Sequence, residues 1–235
     1  MTADQDPTGP AQTGDRHTVL DVWTDIACPW CYIGATRLHR ALADYDRAGQ
    51  VTVHWRAYEL DPHTPAGAGR SELEALAESK DMPKDRVRQM FDQVSAVGAE
   101  DGLTLDFGRT ISANTFDAHR LVQLAGPDTA RGSAVLTALF HARFTRGLAV
   151  DDPEVLVGIG AEAGIGEEAV RALLAAPKDG PEGAAVTSDE ALAARIGVRG
   201  VPFFVADRRL AVSGAQAGET LTRLLDTALD SPAEQ

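Results

Sequence analysis

The chain has two cysteines, Cys28 and Cys31, separated only by Pro29 and Trp30. Thiols at this spacing can bridge each other, exchange that bridge with a partner, or sit in a metal knuckle. A structural zinc site takes about four ligands, which one cysteine pair does not supply, so no metal is expected. An inert structural disulfide is the plain alternative. The flanking sequence favours exchange. Thr18-Val19-Leu20-Asp21-Val22-Trp23-Thr24 is rich in strand-forming residues. Beyond the pair, Cys31, Gly34, Ala35, Leu38, Ala41, Leu42 and Tyr45 recur at helical spacing. Pro29 suits the first helical turn, where a missing N–H costs nothing. A strand therefore delivers Cys28 to a helix N-terminus, whose unsatisfied N–H groups and dipole favour thiolate over thiol. Cys28 is the expected nucleophile. Cys31, a turn further on the buried stripe, is the expected resolving thiol.

The elements that hold this pair belong to an ordinary globular chain, 44% apolar and 24% charged. A net charge of −13 and the lack of basic runs argue against nucleic acid or an anionic membrane as partner. Met1 to Arg16 is polar and acidic, without the features of a secretory signal, and reads as a disordered tail. No apolar stretch approaches a membrane span. With no export signal and no further cysteine to cross-link, the cytoplasm is the expected compartment, where a thiol pair works rather than staples. Nothing in the sequence calls for a cofactor.

Helix and strand signals follow in order. Gly49 marks the end of the first helix, and 51–57 alternates as a strand. From Ser71, with Glu74 completing a capping box, the pattern turns helical. It runs through a stripe of Val87, Met90, Phe91, Val94 and Val97, an extended piece at 103–107, and helices near 115–125, 130–146, from Asp152-Pro153, and 167–176. After a loop at 178–183 come a helix at 189–196, strands at 200–205 and 210–212, and a helix from about Gln216. The order is β-α-β, a helical insertion, then α-β-β-α. That divides the chain into a tail at 1–16, a sheet domain from 17–66 and 184–230, and an inserted helical domain at 67–183.

Pro202 opens the third strand, and a proline there removes a ladder donor. Spacing alone leaves two readings open, a cis Val201-Pro202 bond in a tight turn or a trans proline starting an edge strand. The cis form would present the backbone of Val201 beside Cys28, ready to pair with an extended partner segment.

With both halves in hand, the chain resembles the thioredoxin-fold disulfide oxidoreductases, in the DsbA-like branch with a helical insertion. Within that branch it resembles the FrnE-type dithiol-disulfide isomerases. The residues that carry the resemblance are Asp25-Ile26-Ala27-Cys28-Pro29-Trp30-Cys31-Tyr32-Ile33-Gly34, the run Trp55 to Pro62, the run Ser112 to Leu121, Gly200-Val201-Pro202-Phe203-Phe204 and Val212 to Gln216. The resemblance implies an α/β thioredoxin fold, a mixed sheet flanked by helices. It implies a cis Pro202 as part of the catalytic site with Cys28 and Cys31. Pro29, Trp30 and Val201 are the expected substrate contacts, and the partners are protein thiols and disulfides.

Two departures stand out. The family's buried acid on the first strand is replaced by Val22, which leaves any proton relay to Asp21 or Asp25. The dipeptide between the cysteines is Pro-Trp, without the histidine that DsbA carries. Oxidase, isomerase and reductase directions remain open, as does the oligomeric state. A second class, the glutathione-dependent kappa transferases and 2-hydroxychromene-2-carboxylate isomerases, uses serine at the place of Cys28, though a low-molecular-weight thiol remains a possible partner. A third is an accessory role in polyketide biosynthesis. Asn114, His119 and Arg120 read either as pocket lining or, preferably, as a capping residue and the polar face of a helix. His39, His54, His63 and His141 read as surface or structural.

Overall fold

In a computed structural model, residues 16–231 are described. The tail expected at the N-terminus, Arg16 apart, lies outside the described residues. A strand β1 (Thr18–Thr24) leads into helix α1 (Pro29–Ala43), and the chain returns through β2 (Val51–Ala57). The helical block follows: α2 (Glu72–Ser79), α3 (Lys84–Glu100), α4 (Phe116–Ala125), α5 (Ala130–Phe144), α6 (Pro153–Glu162) and α7 (Glu167–Ala175). Then come α8 (Pro181–Ile196), β3 (Phe203–Ala206), β4 (Leu210–Ser213) and α9 (Gly218–Asp230).

The four strands form one mixed sheet in the order β2-β1-β3-β4. β1 pairs parallel with β2, Thr18 opposite Val51, and antiparallel with β3, Val22 opposite Phe204. β3 and β4 form the expected hairpin. As a central strand β1 is covered on both faces, and its alternation sorts side chains between two cores. Leu20 and Val22 join Ile33 and Leu38 of α1 and Leu221 and Leu225 of α9. Trp23, on the other face, joins Ala193 of α8 with Val198 and Val205. The larger core runs on without a break into the helical block, where Tyr32 of α1 stacks on Phe140 of α5 with ring centroids 5.2 Å apart.

Two caps stand where the sequence placed them. The Ser71 hydroxyl accepts from Glu74 N at 3.3 Å, and the Asp152 carboxylate from Glu154 N at 2.8 Å, with Pro153 at the first helical position. Three boundaries differ. α1 ends at Ala43 rather than near Gly49, and a separate turn of 3-10 helix spans Ala48–Gln50. The 103–107 segment joins no sheet; Phe107 instead stacks on Phe91 at 4.1 Å inside the helical block. The loop expected over 178–183 is shortened by α8, which begins at Pro181, so the expected domain boundary at 183/184 falls inside that helix. Pro181 starts the helix rather than breaking it. Gly183 in its first turn lets the backbone lie so near Lys178 O that a Cβ there would sit 1.7 Å from it.

Candidate active site

Cys28 is the N-cap residue of α1, with extended backbone at φ −97° and ψ 113°, and Pro29 stands at the start of the helix. Its N–H donates to Asp25 O at 3.0 Å, which fixes the turn between β1 and α1. Its carbonyl accepts from Cys31 N at 3.1 Å and Tyr32 N at 3.4 Å, the first bonds of the helix. Both cysteines are free thiols and buried, Cys28 5% exposed and Cys31 1%. Trp30, between them in sequence, turns outward and is 38% exposed.

The Val201-Pro202 bond is cis, the geometry that the resemblance implies. Val201 O lies 3.7 Å from Cys28 Sγ, which donates to it. The loop between β4 and α9 backs this segment, because Gly214 N donates to Pro202 O at 2.8 Å. Gly34 of α1 lies beneath the Pro202 ring. A Cβ at that position would come within 2.9 Å of Pro202 Cγ, so the helix needs a glycine where the loop rests on it. The sequence thus brings Cys28, Cys31, Pro29, Trp30, Val201 and Pro202 into one corner of the molecule, at the end of β1.

Burial and the neighbouring Cys28 sulfur push the Cys31 thiol well above the ordinary range. Opposing this, the Thr24 hydroxyl and the Asp25 N–H, which donates to Cys31 Sγ at 3.5 Å, favour its thiolate.

Of the two acids considered for a relay, strand alternation separates the roles. Asp21 shares the face of Trp23, away from α1, and accepts from Arg56 Nε at 2.7 Å. Arg56 also donates to Asp189 of α8 at 2.8 Å, so Asp21 belongs to a structural ion network. Asp25 lies beyond the strand, 1% exposed, beside the cysteines. Its carboxylate accepts from Ala27 N at 3.0 Å and Leu60 N at 2.7 Å. Burial opposes its charge, but His119 and these two N–H groups outweigh burial and hold its carboxyl below the usual range.

The three residues of the helical block have separate fates. Asn114 caps locally, accepting from Phe116 N at 3.1 Å, and donates to Thr64 O at 3.2 Å. His119 and Arg120 do not form the expected polar helix face, because both are buried, at 2% and 0% exposure. α4 packs against α5, α7 and α8 and has no solvent side to offer there. Arg120 donates to Leu173 O at 2.8 Å and to Ala176 O and Pro177 O at 3.3 Å, closing the end of α7. His119 Nε2 lies 3.5 Å from Asp25 Oδ1. An open groove of about 610 Å³ between α1 and α5 is lined by Tyr32, His39, Ser133 and Ala138 among others, and includes none of the three. His39 is held there by Ser133 at 2.7 Å, and His54 lies 4.0 Å from Asp21.

A family model for the DSBA-like thioredoxin domain matches residues 19–226. The chain belongs to the DsbA-like thioredoxin family. Among solved structures, a "probable DsbA oxidoreductase" from Streptomyces coelicolor is 36% identical over 93% of this chain and 94% of its own, with a TM-score of 0.84. The cytosolic disulfide reductase DsbM from Pseudomonas aeruginosa, determined with GSH, is 25% identical over 91% of this chain and 100% of its own, at a TM-score of 0.59. A 2-hydroxychromene-2-carboxylate isomerase shares the fold, at 17% identity, a TM-score of 0.63 and coverage of 89% and 93%. No curated protein sequence matches. Among the described residues, no helix is long and apolar enough to cross a membrane.

Proposed function

We propose that this DsbA-like oxidoreductase exchanges disulfides with protein partners, with Cys28 as nucleophile and Cys31 as resolving thiol. The observation that carries the reading is one juxtaposition. Cys28 Sγ stands at the start of α1 with Val201 O at 3.7 Å, and Cys31 lies one turn behind, buried. In the reductive direction, Cys28 thiolate attacks a partner disulfide and displaces one partner thiolate, leaving a mixed disulfide. Cys31 then loses its proton and attacks Cys28 Sγ. The second partner thiolate leaves, and the enzyme ends oxidised with the partner reduced by two electrons. Exposed Trp30, Pro29 and the backbone of Val201 form the contact surface, where an extended partner segment adds as a strand.

A low-molecular-weight thiol is the second partner class, supported by the likeness to DsbM. That likeness, and a chain whose two cysteines are both in the working pair, support a cytosolic site of action. The FrnE-type isomerase and polyketide settings rest on the sequence resemblance alone.

The test is a titration of Trp fluorescence against a glutathione redox buffer, run beside insulin reduction. A reversible two-electron transition, lost in Cys28→Ser together with insulin reduction, is expected. Cys31→Ser should accumulate the mixed disulfide. Undiminished insulin reduction by Cys28→Ser would overturn the reading.

A further inference from the structure

Buried polar atoms without partners are costly and rare, so where they gather matters. Among the described residues the buried side-chain atoms without a hydrogen bond are Thr24 Oγ1, Glu59 Oε1, His119 Nε2 and the Nε atoms of Arg120 and Arg143. The two arginines are otherwise bonded through their terminal nitrogens, Arg120 to Leu173 O at 2.8 Å and Arg143 to Glu72 at 2.7 Å. The other three gather around Asp25. Thr24 precedes it and its hydroxyl favours the Cys31 thiolate. His119 Nε2 approaches Asp25 Oδ1 at 3.5 Å, long for a hydrogen bond but near enough for charge. Glu59, beyond the end of β2, feels both Asp25 and His119.

Four elements bring titratable groups to this point. They are Asp25 after β1, Glu59 after β2, His119 on α4, and Glu190 and Asp189 on α8, with Lys178 just ahead of α8. Glu59 N donates to Glu190 Oε1 at 3.2 Å, which chains the cluster outward to two half-buried carboxyl groups. Burial and the neighbouring acids push Glu59 up to about 7, so the cluster can take or give a proton near neutrality.

The mechanism has a matching need. Cys31 is 1% exposed and holds its proton tightly, yet it must lose that proton to resolve a mixed disulfide. We propose that the Asp25–His119 pair receives the proton of Cys31 as it attacks the mixed disulfide, and that Glu59 and Glu190 pass it to solvent. This rests on the dithiol exchange proposed above. The step balances: the Cys31 S–H bond breaks, its electron pair forms the bond to Cys28 Sγ, the partner leaves as thiolate, and the proton goes to the pair and from there, through Glu59 and Glu190, to solvent. Asp25 touches the reacting sulfur through its own N–H. His119 acts through Asp25 and is a positioning residue, supplied by the helical block.

The test mixes reduced full-length protein with dithiobis(nitrobenzoate) in a stopped-flow instrument. Each turnover releases two coloured thiolates, the first by Cys28 and the second by Cys31, so the two steps are read separately. Asp25→Asn is expected to slow the second phase by about 100-fold at neutral pH, the lower range of acid–base catalysis, and His119→Gln by about tenfold. In both, the second phase should rise in proportion to hydroxide, while the wild type levels off once the cluster is deprotonated. Glu59→Gln, at a half-buried position that perturbs folding less, should remove the inflection near neutral pH. Second phases in His119→Gln and Glu59→Gln that match wild type across the pH range would overturn the proposal. So would equal slowing of both phases, the mark of a merely structural defect. A wild type that releases only one thiolate would instead sink the exchange reading beneath it.

Discussion

The sheet unit and the helical block are each tied together by an arginine, half-buried Arg56 in the first and fully buried Arg120 in the second, and the two answer different groups. Arg56 on β2 lies between two nearly buried carboxylates, Asp21 on β1 at 2.7 Å and Asp189 on α8 at 2.8 Å. Asp189 also accepts from Ala57 N at 3.1 Å and Gln123 Nε2 at 3.1 Å, which joins the sheet edge to α4. Arg120 in the helical block is turned mainly on backbone carbonyls, those at the end of α7, with one carboxylate, Asp117, at 2.9 Å. The first is a balance of charge between strands and helix. The second is a cap, supplying donors to carbonyls that a helix end leaves open. Removal should therefore leave different debris, two unpaired acids in one case and unmet carbonyls in the other.

Arg56→Met gives the largest expected loss of stability, about 3–4 kcal/mol, because it strands two buried carboxylates, Asp21 and Asp189, without their shared cation. Asp189→Asn in the same chain should restore part of it, since one stranded charge is gone. Arg120→Met should cost about 2–3 kcal/mol for several buried carbonyls left unmet. Asp117→Asn should restore nothing, since Asp117 keeps Lys178 as a partner at 2.6 Å. Urea unfolding of the two single and two double variants checks both. Equal rescue in the two regions would erase the distinction.

Closer to the sulfurs, Gly34→Ala should push the Pro202 ring off α1, since its Cβ would stand 2.9 Å from Cγ of a ring that cannot rotate away. Overpacking of this kind costs about 1–3 kcal/mol. It should also slow the Cys28 phase of the stopped-flow assay, because Val201 O moves with the proline. Ala substitution at Gly158 of α6, where the added Cβ would meet nothing within 4 Å beyond its chain neighbours and the helix's own backbone, is the matched control in the helical block and should be neutral or stabilising.

Legibility in the sequence followed the range of the interactions. The strand, Pro29 and the stripe from Cys31 to Tyr45 are local, so the placing of the cysteines at a helix start could be read from one segment. The Pro202 corner needed the family resemblance to choose between two isomers that spacing left open. The groups behind Cys31 could not be read at all as a cluster. Glu59, Glu190 and His119 come from β2, α8 and α4, and no spacing rule joins them. His119 was masked by the ordinary assumption that a helix has a polar side. Ala118, His119, Arg120, Leu121 and Val122 are all buried, because α4 is packed on every side. Asp25 was legible only as one of two candidates. The period of β1 then separates it from Asp21, whose side chain must leave the sheet on the far face.

That cluster also gives the smallest predicted effect, and the one whose sign separates it from the rest of the molecule. Most native carboxylates gain stability as pH rises, and Asp25, held below the usual range, is of that kind: its contribution is lost only as pH falls through its folded value. Glu59 runs the other way. With its carboxyl raised to about 7 from 4.5, the folded chain binds more protons than the unfolded one between those values, so stability falls as pH climbs through the window. Because Glu59 is only half-buried, solvent screening reduces the full effect to about 1 kcal/mol. Glu59→Gln abolishes the ionisation and should therefore raise the midpoint of unfolding at pH 8 while changing it little at pH 4. An equal shift at both pH values would show that the side chain's packing, and not its charge beside Asp25 and Glu190, is what the replacement alters.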